Sequence, residues 1–376
     1  METSEQLPHG AVEAPDLAEL VGRPGPFLSV YVNTEAEIEN AAQRSQARWK
    51  TIRGDLPGKE IPEAVLARID ELVPEAHLEG DSLAVIADAK QILHVEHGPA
   101  ITSNDEATWG PVPRVLPIIG WRQSQPPYVV VVTDRTGADL FGIRRGSPEI
   151  HAEVEGEHDV IRKVQSGGWS QRRYQQRAED SWEQNAEQVA ERVTRLVEQI
   201  QPAFVAVAGD VRAVQLLRES LPERVGELVH VIEKEIPRKL EEDDPVPEEV
   251  HELVQQHVRE TTEGLLARFA EERGQHDKAV EGVEATARAL ARAQVAILLI
   301  ADEAGVDRSL WFGLNPVLLA PTDQELKELG VDSPEHDPAR DVLVRATLGT
   351  GAAIRVLEEG EEAEEGVGAL LRWTAG

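Results

Sequence analysis

The chain has 376 residues, a formal net charge of −31 and no cysteine. The lack of thiols excludes a disulfide framework, thiol catalysis and cysteine–zinc sites. So acidic a surface repels phosphate, which argues against general affinity for nucleic acid.

Hydrophobic residues make up 41% of the chain, enough for two or three cored domains at this length. The opening stretch METSEQLPHGAVEAP has no basic segment followed by an apolar run, so it does not read as a signal peptide. The longest apolar run, VAILLIA at 295–301, is too short to span a bilayer. The expectation is a cytoplasmic protein with no membrane partner.

The pattern of elements predicts an α/β chain of three domains, 1–125, 126–274 and 275–376. In the first, FLSVYVNT (27–34) reads as a buried strand. Helical stretches follow at 36–54 and 61–74, then short strands at DSLAVIAD and QILHVEH. SQPP (124–127) breaks any continuing element and marks a boundary.

The second block opens with YVVVVTDRTGADLFGI, two β-rich runs around the turn cluster Asp134-Arg135-Thr136-Gly137. That predicts a hairpin. Trp182, Ala186, Val189, Val193, Leu196 and Ile200 recur at alternating spacings of four and three, one face of a strong helix that Pro202 ends. A strand at 204–209, a helix at 210–221 and a strand at 228–232 continue the alternation. EEDDPVPEE (241–249) reads as an acidic linker before a long polar helix over 247–273.

In the third block a helix over 279–293 and a strand over 294–301 are expected, then SLWFG, VLLA and a helix over 322–329. DVLVRATLGTGAAIRVL reads as a helix or strand followed by a closing strand. The run EEGEEAEEG (358–366) reads as a solvated loop.

Few stretches carry chemistry. His151 with His158, and His251 with His257, lie at spacings that put neither pair at i,i+4 on a helix, and no H-E-x-x-H pattern occurs. There is no P-loop, GTGAA (349–353) reads as a turn, and no nucleophile-elbow serine is present. No metal and no cofactor are expected.

The exception is Arg162 to Arg177, RKVQSGGWSQRRYQQR, which holds Arg162, Lys163, Arg172, Arg173 and Arg177 and no acidic residue. One reading is a plain surface connection whose Ser170 caps the following helix. Arg172 and Arg173 then fall in the first helical turn, where the macrodipole disfavours cations. Phosphates lying against them would explain the choice, since helix starts also bind anions. An indole such as Trp169 can stack on a nucleobase. The candidate rRNA-binding residues are Arg162, Lys163, Gly167, Gly168, Trp169, Ser170, Gln171, Arg172, Arg173, Tyr174 and Arg177.

The hairpin, the spacer ending in SGGWSQRRYQQR and the long amphipathic helix resemble the central domain of archaeal and eukaryotic class-1 peptide-release factors. The nearer resemblance is to their bacterial relatives, which include Balon-type ribosome hibernation factors and mycobacterial homologues. The resemblance implies a central release-factor-like mixed-sheet domain and a C-terminal L7Ae-like α-β-α domain. It implies the ribosome as partner, through 23S rRNA near the peptidyl-transferase centre and ribosomal proteins, and the tRNA-delivering elongation factor as a delivery partner.

Two departures shape the functional expectation. The first block has no Asn-Ile-Lys-Ser stop-codon motif. In release factors the residue after the two glycines is a glutamine that positions the hydrolytic water; here it is Trp169, with Gln171 two positions later. The expected role is therefore a non-catalytic hibernation factor that occupies the A site. A peptidyl-tRNA hydrolase using Gln171 is the enzymatic alternative. An interaction module unrelated to ribosomes is the third.

Overall fold

The computed structural model describes residues 10–34, 40–56, 61–99, 105–144, 147–155, 168–233, 238, 248–275, 277–302, 308–358, 361 and 363–373, with side chains left out at 147–149 and 168–180. Its contacts divide the chain into two compact units, Gln125–Val258 and the combination of Met1–Ser124 with Arg259–Gly376.

The first stretch runs α1 (Pro15–Val21), β1 (Phe27–Asn33), α2 (Ala41–Gly54), α3 (Glu63–Leu72), β2 (Ser82–Asp88), β3 (Ile92–Gly98), β4 (Glu106–Gly110) and α4 (Leu116–Ser124). Its strands form an antiparallel sheet in the order β3-β2-β1-β4. Successive strand residues face opposite sides, and here both sides are apolar. Leu28, Val30 and Val32 join Trp49, Val65 and Ile69 in one cluster. Phe27 and Tyr31 join a second cluster with Leu17, Ile118, Leu290, Val342 and Leu343.

That second cluster mixes the two ends of the chain. A sheet with two apolar faces needs cover on both, and the closing elements of the chain supply the second cover. The blocks 1–125 and 275–376, separate in chain order, thus share one core.

The central unit runs β5 (Tyr128–Thr133), β6 (Gly137–Arg144), β7 (Ser147–Glu155), α5 (Gly168–Ile200), β8 (Phe204–Gly209), α6 (Val211–Ser220), α7 (Glu223–Gly226), β9 (Val229–Val231) and the start of α8 (Glu248–Gln275). Its sheet is mixed, in the order β7-β6-β5-β8-β9, with β5, β8 and β9 parallel and β6 and β7 antiparallel. Val129, Val131, Val205 and Val207 face α5 and α6. Tyr128, Val130, Val132, Phe204 and Ala206 face Val250, Leu253 and Val254 of α8. The sheet is thus the middle of three layers.

The closing stretch runs β10 (Ala279–Glu281), α9 (Val283–Ala291), β11 (Val295–Ala301), β12 (Ser309–Phe312), β13 (Leu319–Ala320), α10 (Asp323–Glu328), β14 (Glu335–Pro338), α11 (Ala339–Gly349), β15 (Ala353–Leu357) and β16 (Val367–Leu371). The sheet β10-β16-β11-β15 has α9 and α11 on one face and the later half of α8, through Leu265 and Phe269, on the other. That is an α-β-α sandwich.

Two expectations need correction here. The helix expected over 279–293 opens instead with β10, because Gly282 at φ +80° turns the chain and residues 279–281 pair with β16. The acidic run is not simply solvated. Glu365 accepts from the Val283 backbone N–H at 2.9 Å and pairs with Arg308, and Glu361 lies 3.8 Å from the fully buried Arg355.

Candidate functional site

The site is built outward from the hairpin that opens the central unit. β5 and β6 pair from Tyr128↔Ile143 to Thr133↔Ala138, which leaves Asp134-Arg135-Thr136 as the turn. Asp134 stabilises that turn locally. Its Oδ1 accepts from the Thr136 N–H at 2.7 Å, the Thr136 hydroxyl at 2.6 Å and the Gly137 N–H at 2.9 Å. Burial works to raise its pKa, but these hydrogen bonds and the nearby Arg238 outweigh it and hold the carboxyl below its ordinary value. Arg238 ties the same turn to the strands, donating to Thr136 Oγ1 at 3.2 Å and Glu153 Oε1 at 3.1 Å.

α5 packs across this hairpin by the face read from the sequence. Ala186, Val189, Val193, Leu196 and Ile200 are all buried, and Trp182 is half-buried. Burying the larger of these stabilises the docked helix by roughly 1.5–3 kcal/mol each. Near its end the helix approaches β6 closely. A Cβ at Gly142 would stand 2.8 Å from Ile200 Cγ1 and 3.2 Å from Leu196 Cδ1, so any larger residue in that notch would push these side chains of α5 aside.

Toward its other end α5 meets the hairpin turn. The Arg135 guanidinium lies 4.6 Å over the Trp182 ring. Its Nε and Nη2 donate to the two Asp210 carboxylate oxygens at 3.3 and 3.2 Å, the fork geometry that suits arginine to a carboxylate. The Arg135 carbonyl accepts from Nδ2 of the buried Asn185 at 3.0 Å. Asp210 also caps α6, accepting from the Arg212 and Ala213 N–H groups at 3.0 and 3.1 Å. Burial would raise the Asp210 pKa, but the Arg135 hydrogen bond and these amides lower it. Arg135, 49% exposed at its side chain, adds no more than about 1 kcal/mol to stability through its ion pair.

The candidate residues themselves divide in two. Arg162, Lys163 and Gly167 lie outside the described residues. Gly168, Trp169, Ser170, Gln171, Arg172, Arg173, Tyr174 and Arg177 all lie on the backbone of α5, which begins at Gly168.

This corrects the expected boundary. Ser170 is inside the helix rather than its cap, and Arg172 and Arg173 are its fifth and sixth residues, past the first turn. The macrodipole penalty fades beyond that turn, so the argument from the helix end weakens. Helical spacing supplies another: positions 169, 173 and 177 form an i, i+4, i+8 row, with 172 beside it. Position 171 lies about 200° around the axis from 169 at 3.6 residues per turn.

Sequence reasoning did not single out Arg135, Asn185 or Asp210 as parts of this arrangement. The available signals were an arginine at the hairpin turn and an aspartate directly after FVAVAG.

One group of metal-ligand type occurs among the described residues, Asp16, His94 and Glu96, each offering an atom within 4.8 Å of the others. Arg122 lies among them, with Nη2 donating to Asp16 at 2.6 Å and Glu96 at 2.7 Å. Burial lowers the Arg122 pKa, but these bonds outweigh it and raise it overall. Both carboxylates therefore already have a cation.

Residues 127–275 match the model of bacterial archaeo-eukaryotic release factor family 2. An uncharacterized protein of Mycobacterium tuberculosis (strain ATCC 25618 / H37Rv) is 28% identical over 363 residues, covering 95% of this chain and 96% of that one. Its counterpart in strain CDC 1551 / Oshkosh matches to the same degree. Among solved structures, one of ribosome-bound archaeal Pelota and ABCE1 aligns with 97% of this chain and 96% of its own, at 13% identity and a TM-score of 0.42. Archaeoglobus fulgidus Pelota aligns with 97% of this chain and 94% of its own, at 14% identity and a TM-score of 0.32. No helix among the described residues is long and apolar enough to cross a membrane. The family match runs from the strand that opens the hairpin to the end of α8.

Proposed function

We propose that this protein is a cytoplasmic, ribosome-associated hibernation factor. It enters the A site, brings the start of α5 toward the peptidyl-transferase centre and keeps idle ribosomes vacant without catalysing release. The observation that carries this reading is a row of Trp169, Arg173 and Arg177, with Arg172 beside it, on a family-2 release-factor domain of an otherwise acidic chain. Arginines on one helical face suit rRNA phosphates, and an indole in their row suits a base. The acidic remainder suits basic ribosomal proteins or an elongation factor that delivers it.

The test is co-sedimentation with 70S ribosomes from starved cells across a salt series. Binding is expected to weaken steeply with salt, because cations on phosphate release counterions. Arg172→Ala with Arg173→Ala should flatten that slope without lowering the melting temperature. Failure of the wild type to sediment with ribosomes would leave an interaction module unrelated to them. A peptidyl-tRNA hydrolase remains the second reading, because Gln171 supplies an amide two positions beyond Trp169.

A further inference from the structure

We infer that Arg135 is a positioning residue that aims the basic N-terminal arm of α5, an inference that rests on the ribosomal reading of that arm. A rod needs two separated holds to fix its direction. The Gly142 notch grips α5 at Leu196 and Ile200. The hairpin turn grips it at Trp182 and Asn185, through the Arg135 guanidinium and carbonyl. The helix runs unbroken from Gly168, so 14 residues, about 21 Å of helix, lead from Trp182 to its start. A 10° tilt at the clamp moves that start by roughly 4 Å over this length, more than a phosphate contact tolerates.

The parts of the clamp are matched to aiming rather than to folding. Asp210 receives the fork of Arg135 while it caps α6. The guanidinium over the Trp182 ring is thereby held by a carboxylate anchored at the start of a neighbouring helix. The Arg135 side chain of the clamp is half-exposed, whereas the docking face of the helix beyond it is buried. Removing the Arg135 side chain leaves the Asn185 bond to its carbonyl and the whole apolar face in place. The helix stays docked, but its arm loses the hold nearest its start, at Trp182, and its heading is less tightly fixed.

The chain has no cysteine, so spin labels can be placed singly, at Gln176→Cys on the arm and at the exposed Glu219→Cys on α6. Pulsed electron–electron distance measurement should give one narrow distribution in the parent protein. Arg135→Ala and Trp182→Ala should broaden it by several ångströms with the melting temperature nearly unchanged. Trp182→Phe, which keeps an aromatic face, should restore the narrow distribution. In the same variants ribosome affinity should fall about tenfold for the two alanine changes and recover with Trp182→Phe. An unchanged distance distribution in folded Arg135→Ala overturns the clamp. A broadened distribution in a protein whose parent form never binds ribosomes supports the clamp and sinks the ribosomal reading instead.

Discussion

Arg345 of α11 donates from Nε to the carbonyl oxygen of Val21, the last residue of α1, at 3.2 Å. The same guanidinium donates to the Leu314 carbonyl at 2.6 Å and lies 4.9 Å over the Phe312 ring. Three segments from opposite ends of the chain therefore meet on one side chain that is only 3% exposed. Burial lowers its pKa to about 10, against a smaller opposing effect from Glu335.

Arg345→Ala should destabilise this unit by about 2–5 kcal/mol, because it opens a cavity and leaves two carbonyl groups unpaired. Arg345→Met keeps much of the volume and should cost less. Urea unfolding followed by near-UV circular dichroism measures both. Equal midpoints for wild type and Arg345→Ala would mean that the two ends of the chain are not joined through this residue.

Asp337, just ahead of α11, supplies a pH dependence. Burial raises its pKa to about 7, with the neighbouring Asp341 adding to the rise, and the Val112 N–H and Arg114 opposing it. Asp341, Glu335 and Arg114 are the charged groups that face it. In the unfolded chain an aspartate titrates near 3.9. Between about pH 4 and 7 the folded state therefore holds a proton that the unfolded state has released. Stability should fall as pH rises through that window and level off above 7. Asp337→Asn removes this component while still offering an acceptor to Val112. It should gain on the wild type with rising pH, by on the order of 2 kcal/mol at pH 8 once solvent screening is allowed for. Thermal melts at pH 5 and pH 8 decide it: an equal effect of the substitution at both pH values would show that Asp337 is already ionised in the fold.

The central hairpin is legible in the sequence because two β-rich runs flank a four-residue turn cluster, and α5 is legible because its apolar positions repeat at helical spacing. What is not legible depends on partners far away in the chain. β16 is a five-residue strand directly after an acidic run, and nothing local announces that it will pair with both β10 and β11. α4, with a proline and a glycine in nine residues, is a poor helix by propensity. It forms where Ile118, Ile119 and Trp121 can be buried. At the site, the basic island is visible as composition, but the helix start is not. Two adjacent glycines argue for a loop, and the backbone is nonetheless helical from Gly168. The Arg135 clamp is invisible for the same reason as β16: its members are 75 positions apart and meet only in the fold.

Whether the protein is a factor or an enzyme turns on Gln171. A glutamine that orients a hydrolytic water acts mostly in the transition state, so its loss slows the reaction and leaves binding nearly intact. Positioned groups of this kind contribute about 100- to 10,000-fold. In this chain Trp169 stands at the position after the two glycines. Gln171 is two residues on along the same helix, about 200° around its axis by the 3.6-residue turn. A cleft that receives one of these positions faces away from the other. Purified protein added to ribosomes loaded with peptidyl-tRNA is therefore expected to release no peptide above the buffer rate. Gln171→Ala should leave both that rate and ribosome occupancy unchanged, whereas Trp169→Ala should lower occupancy by removing a stacked base contact worth about 1–3 kcal/mol. Robust release by the wild type, lost 100-fold or more in Gln171→Ala at unchanged occupancy, would instead make the protein a peptidyl-tRNA hydrolase.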